Sequence, residues 1–143
     1  MSLLAAIDTT EKAAPVLEEA SQLADDLNEE VHVLHVLKRN ELVEILDVDV
    51  NGIDVTENLA VQEYVDELIE SASPRASAEF ETAVKVGEPG AEIIRYADDV
   101  DARYVLIGGE KRSPTGKALF GSVGQTVLLQ SPTPVINVPT TQF

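Results

Sequence analysis

The chain has 143 residues, 44% of them hydrophobic, and its 26 acidic against 10 basic side chains give a formal net charge of −16. That length suits one domain burying roughly two-thirds of its unfolded surface, and the acidic excess argues against nucleic acid as a partner, because such a footprint needs a basic face. The absence of cysteine removes disulfides and thiolate chemistry, and with no basic, apolar leader and no apolar run near the roughly 20 residues of a membrane span, a soluble, cytoplasmic protein is expected.

Ser2 to Asp8 is a short apolar run ending in an acid and reads as a buried strand leading into a helix cap. Ala13, Val16, Leu17, Ala20, Leu23, Ala24 and Leu27 then recur at helical spacing, with Pro15 predicting that the helix becomes regular only from about that point. Glu30 to Leu37 is a second strand, Leu59 to Ser71 a second helix, and Phe80 to Val86 a third strand. A Gly87-Glu88-Pro89-Gly90 turn opens a helix with Ala91, Ile94 and Ala97 inward. Ala102 to Ile107 is the fourth strand, Gly121 to Gln130 the fourth helix and Pro134 to Val138 the fifth strand. Such alternation calls for one α/β domain, a parallel sheet with helices on both faces, binding ligands beyond the carboxyl ends of its strands. The loops after Asp8, Leu37 and Ile107 are the places to look.

Between Asp47 and Asn58 the chain nearly spells a calcium loop, but its twelfth position holds Asn58 where a bidentate glutamate is needed. A hairpin turning at Asn51-Gly52 is the better reading. His32 and His35 stand three apart in a strand, so they point to opposite faces and form no paired metal site. Structural roles are expected for both. No Ser/His/Asp order is recognisable, so neither a catalytic residue nor a protein-bound metal is expected.

Charge and glycine both concentrate near the C-terminus. From Lys111 to Phe143 there is no acidic residue, while Lys111, Arg112 and Lys117 are basic, and five of the eight glycines fall between Gly108 and Gly124. This segment joins the end of the fourth strand at Ile107 to the fourth helix. Gly108, Gly109 and Gly116 let backbone approach a ligand, the basic side chains offset anionic charge, and the helix opening at Gly121-Ser122 offers backbone amides. The alternative is a flexible loop with solvated cations. A P-loop is excluded, because Gly109 and Gly116 are separated by six residues and Lys117 is followed by Ala118; a dinucleotide fingerprint is excluded because the first strand is followed by Asp-Thr-Thr-Glu-Lys.

Over its whole length the chain resembles the universal stress protein family. The resemblance is carried by Asp8 at the end of the first strand, His35-Val36 in the second, Gly108 through Gly121-Ser122 after the fourth, and the Pro134 to Val138 strand. It implies a Rossmann-like, five-stranded sheet in the order 3-2-1-4-5 and an adenine nucleotide, ATP or AMP, with Mg²⁺ as its companion. By the same resemblance Ile7 and Val36 lie near the base, Asp8 near the ribose, and Gly108, Gly121, Ser122 and Val123 near ribose and phosphates. By its own chemistry Asp8 is equally a helix-capping acid. Lys111 stands where the family has glycine, which either closes the backbone approach or adds a phosphate contact.

The expected function is a regulatory nucleotide-binding module in a stress response. Two alternatives are a dimeric interaction protein that has lost its ligand and a slow ATP hydrolase. The fifth strand, flanked by prolines at a sheet edge, predicts a homodimer through Val135 to Val138, with a monomer covered by the Thr140 to Phe143 tail as the alternative. The acidic surplus reads as surface solvation in a cell of high internal salt, where a Debye length of about 3 Å at 1 M mutes repulsion.

Overall fold

The computed structural model describes residues 1–8, 10–38, 59–72, 80–109 and 121–139. Along the chain run β1 (Ser2–Ile7), α1 (Thr10–Leu27), β2 (Glu30–Leu37), α2 (Leu59–Ala72), β3 (Phe80–Val86), α3 (Pro89–Asp99), β4 (Ala102–Gly109), α4 (Ser122–Gln130) and β5 (Val135–Pro139). The five strands form one parallel sheet in the order β3-β2-β1-β4-β5, the Rossmann-like arrangement expected. The proposed hairpin and calcium loop at 47–58 lie outside the described residues.

Apolar runs rather than alternating patterns make β1, β2 and β4, because successive side chains must be buried on both faces of a covered sheet. Leu3, Ala5, Val31, Val33 and Leu37 point to one face and pack against Val16, Leu17 and Ala20 of α1 and Val65 and Ile69 of α2. Leu4, Leu34, Val105 and Ile107 point to the other, against Ile93 and Ala97 of α3 and Val127 of α4. Each such leucine or valine adds about 1.5–3 kcal/mol by leaving water, so the two cores together hold the sheet between its helices.

Two helix ends explain where the chain turns. Asn28 takes a left-handed φ of 55°, and the Glu29 amide donates to the Ala24 carbonyl at 3.0 Å. That closes α1 with a Schellman bond, a conformation asparagine tolerates better than most residues. Gly90, near the start of α3, lies where a Cβ would come within 2.7 Å of Thr126 Cγ2. Glycine at that point lets α3 approach α4 closely, and both helices begin at the same edge of the sheet.

Pro15 does not delay α1, which is helical from Thr10 with the proline inside it. Proline withdraws one amide from the ladder, and the buried stripe of Ala13, Val16, Leu17 and Ala20 holds the surrounding turns against the sheet. β4 also runs two residues further than expected, to Gly109, because β5 pairs with it as far as Gly109 and Pro139. None of the described helices is long and apolar enough to cross a membrane.

Candidate functional site

At the carboxyl edge of the sheet the ends of three strands and the starts of three helices enclose a cleft of about 400 Å³. β1 contributes Ala6 and Ile7, followed by Asp8; β2 contributes Leu34, His35 and Val36, followed by Lys38; β4 contributes Ile107 and Gly108. Val16 of α1, Pro89 and Ile93 of α3, and Gly121 through Gly124 at the start of α4 complete it. β1 lies between β2 and β4, and the chain leaves β1 toward β2 but later returns to β4 on its other side. This reversal separates the connecting segments and opens a crevice where they part.

The two ends of the cleft differ in chemistry. At the α4 end, Gly121 is the N-cap, with extended φ −68° and ψ 170° and no side-chain cap hydrogen bond. The first described helical bond runs from the Gln125 amide to the Gly121 carbonyl at 3.0 Å. The amides of Ser122, Val123 and Gly124 precede that bond and have no carbonyl one turn back within the helix. Such amides and the positive end of the helix dipole are chemically suited to anionic oxygen.

The β2 end is built around His35. Its side chain is buried, and Nδ1 donates to the Ile7 carbonyl oxygen at 2.9 Å, tying the ends of β1 and β2 together. The ring also meets Tyr64 of α2, with centroids 6.0 Å apart. His32 faces the opposite side of the sheet, where its ring meets Tyr96 of α3 at 6.3 Å edge-on. The two histidines therefore occupy different faces, as strand geometry requires. Among the described residues no group of three His, Asp or Glu side chains gathers to hold a metal ion.

Of the residues singled out in the sequence, Ile7, Asp8, Val36, Ile107, Gly108, Gly121, Ser122 and Val123 all meet at this cleft. Gly109 does not line it. Its space is taken up beside Asn137 of β5. Lys111, Arg112, Gly116 and Lys117 lie outside the described residues. Sequence reasoning missed Val16, Leu34, His35, Lys38, Pro89, Ile93 and Gly124. Pro89 could have been found, since proline in the first helical position after a strand marks a helix start at the carboxyl edge. Gly124 closes the glycine-rich segment, His35 belongs to the His35-Val36 pair and Lys38 opens the loop after Leu37, whereas Val16, Leu34 and Ile93 carry no local signal.

The comparisons agree with one another over the whole fold. The model of the universal stress protein family matches residues 1–139. Universal stress protein YxiE of Bacillus subtilis is 28% identical over 144 residues, spanning 95% of this chain and 97% of that one. A universal stress protein of Archaeoglobus fulgidus superposes with a TM-score of 0.69 at 30% identity, covering 96% of this chain and 98% of the other. A further structure from that organism, in complex with dAMP, has a TM-score of 0.60 at 25% identity, covering 96% and 97%.

Proposed function

The chain belongs to the universal stress protein family, and from that premise we propose that its cleft holds an adenine nucleotide, ATP or AMP, as a regulatory binding module in a stress response. The observation that carries this reading is the start of α4, whose N-cap Gly121 makes no side-chain cap hydrogen bond, facing a crevice whose other end is walled by Ile7, Leu34 and Val36. An anionic group belongs at the first and an apolar ring at the second. The dAMP complex of the similar Archaeoglobus fulgidus protein supports the same class of ligand.

In this reading the phosphates accept hydrogen bonds from the Ser122, Val123 and Gly124 amides, and the glycines at 121 and 124 let oxygen come close to the backbone. Asp8, exposed at the end of β1, receives the ribose hydroxyls between phosphate and base. Mg²⁺ travelling with ATP would offset its phosphate charge, and Asp8 is the carboxylate the described cleft offers it. His35 is held by a backbone carbonyl rather than by a carboxylate, so the described residues assemble no nucleophile with an oriented base. Binding and release, not turnover, is the function this supports.

The proposal extends to a homodimer joined through Val135 to Val138, because β5 is an edge strand whose first three residues are only half-buried. Mass spectrometry of gently purified protein should find a co-eluting adenine nucleotide, and calorimetry should show ATP binding to the stripped protein. Absence of both would replace the nucleotide reading with that of a dimeric interaction protein.

A further inference from the structure

The helix that brings the free amides to the cleft is seated on another helix more than on the sheet. Of the residues of α4 only Val127 is buried, and α4 packs more extensively on α3 than on any strand. A helix held in this way takes its position from its neighbour. Next to the cleft that neighbour offers Gly90, which follows the cleft residue Pro89 and begins the buried stripe Gly90, Ile93 and Ala97 of α3.

A Cβ at Gly90 would stand 2.7 Å from Thr126 Cγ2 and 2.9 Å from Thr126 Cβ, so the threonine methyl fills the place that a side chain at 90 would take. The hydroxyl of the same threonine donates to the Ser122 carbonyl oxygen at 2.9 Å. One side chain thus seats α4 on α3 and ties down the turn whose residues Ser122, Val123 and Gly124 line the cleft. Non-bonded carbons rest about 3.5–4.0 Å apart, so a methyl at 90 has to part the two helices by about 1 Å at this level. An N–H···O bond stretched by that much from about 2.9 Å is no longer a hydrogen bond.

Resting on the nucleotide reading above, we propose that Gly90 and Thr126 are a positioning pair, the space at one and the methyl and hydroxyl of the other setting where the Ser122, Val123 and Gly124 amides stand relative to the end of β4. Neither residue touches the ligand. A base and ribose held against β1 and β2 are indifferent to the pair, whereas phosphates held by the first turn of α4 depend on it.

The test is calorimetry of the full chain with ATP and with adenosine, which has no phosphate. Gly90→Ala should weaken ATP about tenfold and adenosine less than about twofold. Combining Gly90→Ala with Thr126→Gly makes room for the added methyl and should bring ATP affinity back to within about threefold of wild type. Thr126→Ala crowds nothing and favours the helix, so it keeps the test open should Gly90→Ala not fold; it removes seat and tie together and should weaken ATP about threefold, with adenosine unchanged. In ligand-free protein, ¹H–¹⁵N spectra of either single variant should show the Ser122, Val123 and Gly124 amides moved and those of Ile7 and Val36 in place. Equal losses for both ligands, unaltered ATP affinity in Thr126→Ala, no recovery in the double variant, or unmoved α4 amides would overturn the positioning role and leave nucleotide binding standing. If wild-type protein binds neither ligand, the nucleotide reading fails, and the α4 amide resonances alone decide whether the pair sets the position of that turn.

Discussion

Gly109 and Asn137 lie side by side on β4 and β5, and a Cβ on Gly109 would overlap the amide group of Asn137. The Asn137 Oδ1 is itself buried without a hydrogen-bond partner. Glycine at 109 is thus the space that admits a polar side chain to this edge of the sheet. Gly109→Ala should destabilise the protein by about 1–3 kcal/mol through overpacking. In the Asn137→Ala background the same change should cost much less, as denaturant melts of the four variants in a double-mutant cycle will show. Additive losses would mean that the two residues do not share this space.

Gly121→Val tests the phosphate end of the cleft. The backbone at 121 has φ −68°, open to any residue, so folding should survive while the added side chain obstructs the approach to the α4 amides. Calorimetry should show ATP affinity falling at least tenfold, about 1.4 kcal/mol. From the sequence, Lys117→Ala should weaken ATP more than adenosine, because its expected partner is phosphate. Equal losses for both ligands would remove Lys117 from the phosphate site.

Tyr96 makes the alkaline arm of stability sensitive to one hydroxyl. Burial holds its phenol above the ordinary value of 10.0, with the charges of Glu81 and Asp99 adding to the effect. The folded state therefore retains the proton more strongly than the unfolded chain. Its contribution is complete below the unfolded pKa and is lost as pH rises through the folded one. Tyr96→Phe should flatten the fall in stability above about pH 10, and urea melts from neutral to alkaline pH measure it. A variant that loses stability as steeply as wild type in that window would discount Tyr96.

Ile136→Asp examines the edge strand. Ile136 is half-buried in the single chain and pairs with Leu106 on β4, and no described strand pairs with the other edge of β5. A carboxylate buried there without a partner opposes association. Sedimentation in molar KCl should show a dimer for wild type and a shift toward monomer for the variant. A monomeric wild type at high concentration would end the dimer proposal without touching the cleft.

The sequence by itself determined the succession of strands and helices, because a run such as Leu3 to Ile7 and a stripe such as Val16, Leu17 and Ala20 are local patterns that need no partner to be read. It also pointed to Gly121 and Ser122, since a glycine-rich break before a helix is equally local. The resemblance to a family supplied the strand order. Tertiary structure alone decided that His35 meets the Ile7 carbonyl, 28 residues away, that Val16, Pro89 and Ile93 share one cleft, and that Gly109 lies against Asn137. Periodicity states which face of an element is buried, whereas register and the approach of helices arise only when separate elements pack together.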